Sequence, residues 1–207
     1  MKENGTYTVV DPPSGVNIIK SRWVYKVRDP YDASLLKSRV VAKGFSQQWG
    51  TDYVDTFAPT VAPRNLRLFL TVVAHRDFEC HHVDVNNAFT QAALKEVLYM
   101  EPPPMTTTPK GKVWRLHKSI YGLKQAAKDW YETCSAQLKS MGYLPAPEDE
   151  CIFLHRTEQS YVLLYVDDIL IAAPTLEAIN AFKSIFGRRF KIVTGPGGVP
   201  VLPMNWA

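Results

Sequence analysis

Tyr161-Val-Leu-Leu-Tyr-Val-Asp-Asp-Ile-Leu-Ile-Ala-Ala173 is the stretch on which the reading of this chain turns. Two apolar runs rich in branched and aromatic residues, Tyr161–Tyr165 and Ile169–Ala173, flank Val166-Asp167-Asp168. Such residues favour strands, so the stretch reads as a hairpin with two carboxylates at its tip. Adjacent carboxylates repel each other, and burying them costs solvation. In a straight strand Asp167 and Asp168 would point to opposite faces, whereas a tight turn can bring both near one ion. Asp84 closes another strand-like run, Phe78–Val85, far upstream, so only folding can unite it with the pair.

Three carboxylates at a sheet edge suit hard divalent cations, above all Mg2+ with Mn2+ as a substitute. Two such ions about 3.5–4 Å apart support phosphoryl transfer. Taken singly, each signal has a plainer reading. Asp-Asp at a hairpin tip is also what a solvated turn looks like, and an Asp before Asn86-Asn87 is a common turn or cap.

Working outward, Tyr7–Val10, Val16–Val27 and Leu35–Ala42 read as an antiparallel meander, broken at Asp29-Pro30-Tyr31-Asp32. Pro63 opens a helical pattern with Leu66, Leu70 and Val73 on one face. Asn86–Leu94 reads as a turn with a short helix, and Val97–Met100 and Val113–Leu116 as strands around a proline-rich loop. Gln125–Met141 is the clearest helix, with a Trp130, Cys134, Leu138 and Met141 stripe and Gly142 as its C-cap. Cys151–Leu154 is a further strand, Leu176–Phe186 a closing helix and Phe190–Val193 a last strand.

The composition is that of an ordinary globular chain, with 46% hydrophobic and 21% charged residues and a net charge of +4. The charge is uneven: residues 1–76 hold eleven Lys/Arg against six Asp/Glu, a basic lobe suited to gripping phosphates. Cys80, Cys134 and Cys151 are far apart and lack a paired spacing, which argues against a disulfide framework or a zinc site. His81-His82 beside Cys80 face opposite ways in a strand and make a poor metal site. Neither a signal peptide nor a membrane span is expected, because the longest apolar run is cut by two aspartates.

Taken together and in order, several segments resemble one family, the reverse transcriptases of copia-type LTR retrotransposons. They are Trp23-Val-Tyr-Lys26; Lys37-Ser-Arg-Val-Val-Ala-Lys-Gly-Phe45; Thr56-Phe-Ala-Pro-Thr60; Val83-Asp-Val-Asn-Asn-Ala-Phe89 with Val97-Leu-Tyr-Met100; Ser119-Ile-Tyr-Gly-Leu-Lys-Gln125 with Trp130-Tyr131; and Tyr165-Val-Asp-Asp168. The resemblance implies an α+β right-hand polymerase with fingers and palm, and an antiparallel palm sheet with helices packed on one face. It implies fingers mainly over 4–76 and part of 86–130, and palm mainly over 77–85 and 125–193. Residues 194–207 would form a divergent tail outside the domain, with thumb and RNase H absent.

The resemblance further implies that Asp84, Asp167 and Asp168 are catalytic and hold two Mg2+ ions. Phe89 matches a steric gate against a ribose 2′-hydroxyl, Gln125 a residue contacting the incoming nucleotide, and Lys26 and Arg39 basic residues clamping its triphosphate. Each also has a simpler reading: Phe89 as core, Gln125 as a helix cap, Lys26 and Arg39 as solvated strand cations. The implied partners are an RNA or DNA template, a primer, dNTPs, and the integrase and RNase H of a parent Pol polyprotein in cytoplasmic virus-like particles. A second expectation, from the absent thumb, is an inactive remnant that at most binds nucleic acid through its basic fingers.

Overall fold

The computed structural model describes Met1, residues 4–27 and residues 36–193. The expected break at Asp29–Asp32 and the expected tail over 194–207 lie outside the described residues. In chain order the elements are β1 (Tyr7–Val10), β2 (Ile18–Ile19), β3 (Ser21–Val27), β4 (Leu36–Ala42), α1 (Pro63–His75), β5 (Glu79–Val85), β6 (Ala93–Met100) and β7 (Val113–Lys118). There follow α2 (Ala126–Ser140), β8 (Leu144–Ala146), β9 (Asp149–His155), β10 (Ser160–Tyr165), β11 (Asp168–Ala173), α3 (Leu176–Arg189) and β12 (Ile192–Val193). The fold is mixed α+β. It divides into two compact units, Met1–Phe57 with Phe89–Trp130, and Ala58–Ala88 with Tyr131–Ala207. Residues 58–76, read from sequence with the first lobe, therefore cluster with the second unit.

The second unit is built on a six-stranded sheet in the order β12-β5-β11-β10-β9-β8, antiparallel at every described pairing. Side chains alternate across a strand, so its two faces can be traced residue by residue. Leu163, Leu170 and Ala172 share a face with Cys80 and Tyr161. There they pack against Leu66, Phe69 and Val73 of α1. The helix starts at Pro63, whose fixed φ and missing N–H suit a first turn.

On the opposite face, His81 meets Lys183 of α3, whose Nζ lies 2.7 Å from His81 Nδ1. Ile179, Phe182 and Phe186 are the buried stripe of that helix, and Thr175 caps it by accepting from the Ala178 amide at 3.3 Å. The expectation of helices on one face is thus corrected: α1 and α3 flank opposite faces. The physical reason is that β11 is apolar on each side, with Leu170 and Ala172 buried on one face and Ile169 and Ile171 on the other, where Val83 and Val85 of β5 join them. A sheet apolar on both sides needs cover on both.

Burial pushes the Cys80 thiol to about 11 and the Cys151 thiol to about 12, and raises Cys134 as well. All three thiols are free and protonated, and serve as small core groups.

The first unit holds a four-stranded sheet, β1-β7-β6-β2, and a separate β3–β4 hairpin. The expected three-strand meander is corrected accordingly. β1 pairs with β7 and β2 runs parallel to β6, leaving only β3 and β4 paired with each other. Tyr7 stacks on Trp114 at 3.8 Å, and Ile19, Leu98, Met100, Trp114 and Leu116 form the core.

Two glycines lock this unit together. A Cβ on Gly122 would stand 2.1 Å from the Ala42 carbonyl oxygen, and one on Gly44 would stand 2.1 Å from that of Gly122. Gly122 also has φ +89°. The Ala42 amide donates to the Tyr121 carbonyl at 2.8 Å across this close approach. We expect Gly122→Ala to cost roughly 2–4 kcal/mol, from left-handed strain plus overpacking, read as a lowered midpoint of denaturant unfolding. An unchanged midpoint would contradict the close approach.

Candidate active site

β5 lies between β12 and β11, and its register against β11 sets Asp84 directly opposite Asp168. Directly opposed residues of an antiparallel pair project to the same face, with Cβ atoms about 4.5–5.5 Å apart. Asp167 follows from the hairpin, because Tyr165 pairs with Asp168 and leaves Val166 and Asp167 as the two-residue turn. Val166 has φ +54°. A β-branched residue in that region is strained, and the pairing of β10 with β11 holds the tight tip against that cost. α1 covers the end of this face near Cys80 and Ala172, and Asp84 on the same face is exposed.

His82, set aside in the sequence as part of a poor metal site, has a contact with the carboxylates that the sequence did not reveal. It lies two positions before Asp84 on the same face and diagonal to Asp168, and its Nε2 is 2.7 Å from Asp168 Oδ1. Its pKa is raised, first by that hydrogen bond and further by the charges of Asp168, Asp84 and Asp167; burial opposes the rise. All three sequence-derived carboxylates therefore act on one imidazole. The available signal was the two-residue spacing from Asp84, which alternation turns into a shared face. His81, facing the other way, has its pKa lowered by burial and by Lys183.

The donor chemistry, hard carboxylate oxygens on one face, fits a magnesium-like ion. Among the described residues no group of three His, Cys, Asp or Glu side chains stands close enough to ligate one ion. Asp168 instead gives an oxygen to His82.

In the first unit, the β3–β4 register pairs Lys26 with Lys37, Val24 with Arg39 and Arg22 with Val41. Arg22, Lys26, Lys37 and Arg39 consequently share one face of the hairpin. Lys26 and Lys37 stand directly opposite, a like-charge pairing that is unfavourable unless an anion is near. Arg39 lies over the Tyr121 ring at 5.1 Å, and its buried Nε has no hydrogen-bond partner among the described residues. Phe89 is half-buried and meets the same Tyr121 ring edge-on at 4.6 Å. The structure thus gathers Arg39 and Phe89 around one tyrosine, and Lys26 shares the hairpin face of Arg39.

Gln125 has a different place. It is 1% exposed, its Nε2 donates to the Asp52 carbonyl at 2.9 Å, and its Oε1 accepts from Gln47 Nε2 at 2.9 Å. A nucleotide would reach it only after those bonds were given up.

The sequence matches the family model for reverse transcriptase (RNA-dependent DNA polymerase) over residues 4–195. The chain belongs to the reverse transcriptase family. It is 36% identical over 197 residues to the Retrovirus-related Pol polyprotein from transposon TNT 1-94 of Nicotiana tabacum, covering 92% of this chain and 15% of that polyprotein. It is 36% identical over 196 residues to that from transposon RE2 of Arabidopsis thaliana, covering 91% and 14%. For transposon RE1 of Arabidopsis thaliana the identity is 38% over 182 residues, covering 84% and 12%. This reverse transcriptase-family chain thus spans about one-seventh of the length of these relatives. Among its described residues, no helix is long and apolar enough to cross a membrane.

The strained tip yields a test. Val166→Gly should raise the unfolding free energy by about 1 kcal/mol, because relief of positive-φ strain exceeds glycine's entropic cost. Val166→Ala keeps a Cβ and should bring no such gain. Denaturant unfolding of both variants checks this, and a less stable glycine variant would contradict the strain.

Proposed function

We propose that this chain carries the nucleotidyl-transfer centre of a copia-type retrotransposon reverse transcriptase, within fingers and palm lobes corresponding to its two units. The observation that carries the reading is the register that sets Asp84 opposite Asp168, one turn residue from Asp167, in a chain of this family.

Asp84, Asp167 and Asp168 would hold a pair of divalent ions, Mg2+ or Mn2+. Such ions, when bound, promote deprotonation of a primer 3′-hydroxyl and neutralise charge on the phosphates of a dNTP. Among the chain's own groups, His82 orients the Asp168 carboxylate through its 2.7 Å hydrogen bond. Arg39 and Lys26 would grip the triphosphate, Arg39 as a planar fork and Lys26 as a point charge. Phe89, braced edge-on by Tyr121, is suited to exclude a ribose 2′-hydroxyl. Gln125 acts one step back, by fixing the loop around Asp52. The partners under this reading are an RNA or DNA template, a primer and the remaining Pol segments.

The test is dTTP incorporation on poly(rA)/oligo(dT) with Mg2+ or Mn2+. Asp84→Asn and Asp167→Asn should each lower incorporation by at least about a hundredfold, the scale expected when charge stabilisation is removed from a transition state. Asparagine variants as active as the parent, or a parent inert with both metals, would contradict the reading. A second comparison, on poly(rC)/oligo(dG), addresses Phe89: Phe89→Ala should raise rGTP use relative to dGTP about tenfold or more, since a steric exclusion is removed. An unchanged ratio would return Phe89 to a purely structural role.

A further inference from the structure

The segment over residues 45–57 of the first unit leaves large apolar side chains bare. Phe45 is 81% exposed, Trp49 73%, Val54 65% and Phe57 73%. Scattered single apolar residues need no explanation, but four on one short loop do. A loose loop would fold such rings inward, and this loop is pinned against doing so. The Asp52 carboxylate, 6% exposed, accepts from Asn17 Nδ2 and from the Gln48 amide, the latter at 2.9 Å. Its carbonyl takes the Gln125 amide, and Gln47 Oε1 accepts from the Lys124 backbone N–H at 2.8 Å. Trp49 Nε1 donates to the Val54 carbonyl at 3.2 Å, and a β-bridge joins Trp49 to Tyr53. Buried polar groups thus fix the loop while its rings stay in solvent.

The loop's own acids are engaged: Asp52 is buried and Asp55 pairs with Lys128 Nζ at 2.9 Å, so the cationic excess belongs to the rest of the unit. Lys124 Nζ donates to the Tyr53 hydroxyl at 2.8 Å and lies 4.7 Å from the centre of that ring. The first unit as a whole holds fifteen Lys/Arg against nine Asp/Glu, and the second nine against eleven. Bare aromatic faces on a rigid, cationic unit match a polyanion that itself presents aromatic faces. Duplexes hold their bases in a continuous paired stack, whereas single strands stack only in part and can splay bases out onto another ring.

We propose that the Phe45–Phe57 loop is a platform on which unpaired bases of a single-stranded nucleic acid stack. The choice of a nucleic acid as partner rests on the polymerase reading, but the platform needs neither metal nor dNTP. Binding is tolerant of sequence, because every base has a face to stack.

The test uses the full chain without divalent metal. Fluorescence anisotropy measures its affinity for a labelled oligoadenylate of about ten nucleotides, within the span that one single-strand-binding fold covers. An abasic strand of equal length and charge is measured in parallel. Trp49→Ala and Phe57→Ala should each weaken oligoadenylate binding roughly tenfold and leave abasic binding unchanged. Trp49→Phe, which keeps a ring, should restore most of the loss. Circular dichroism establishes that each variant is folded.

Equal losses on both strands, or no loss on either, would overturn the platform. So would self-association of the chain that the alanine variants abolish while nucleic-acid affinity stays constant, since the loop would then be a chain–chain contact. The two proposals fail separately. A chain that incorporates dNTPs but binds oligoadenylate regardless of Trp49 loses the platform and keeps the polymerase reading. Base-dependent binding without incorporation does the reverse.

Discussion

The antiparallel pairing of β5 with β11 is the constraint on which the second unit depends. Its register sets Val83 opposite Ile169 and Cys80 opposite Ala172, and in the same stroke Asp84 opposite Asp168. A slip of one residue would turn every one of these side chains to the other face. The apolar demand on both faces, met by α1 on one side and α3 on the other, therefore also fixes the carboxylates. Packing that is ordinary in itself decides where the charges stand.

Holding like charges at one end of an apolar sheet is unfavourable, and the structure shows how that is managed. The carboxylates sit at the uncovered end of the face, where water reaches them. His82 shares its imidazole with Asp168, and the surrounding negative charge favours its protonated form. The turn that joins β10 to β11 keeps a valine at positive φ, a local cost that the paired strands outweigh. A like-charge pairing also marks the first unit, where Lys26 faces Lys37 across a hairpin and Arg39 Nε is without a partner among the described residues.

Much of this was legible in the sequence, and the limits have physical causes. The Tyr161–Ala173 hairpin, the Pro63 helix and the Trp130–Cys134–Leu138 stripe were readable because local periodicity and strand-forming residues agree there. Strand partners in the first unit were not, since β1 joins β7 and β2 joins β6 across long intervals that no local pattern encodes. The 3-residue strand at Leu144–Ala146 was masked by its proline. At the site, the three aspartates stood out as charges amid apolar runs. His82 did not, because its importance comes from a diagonal neighbour on another strand. Gln125 was noticed for its position in a motif, and its internal bonds to Gln47 and Asp52 appear only on folding.

Under the proposed function, Asp84 and the hairpin carboxylates form one cation site. Paramagnetic broadening of backbone amide NMR signals by substoichiometric Mn2+ tests it most directly. The amides of Asp84, Asp167 and Asp168 should then fade together at the same low Mn2+, ahead of the rest of the chain. Fading at 167 and 168 while the Asp84 signal stays sharp would contradict it.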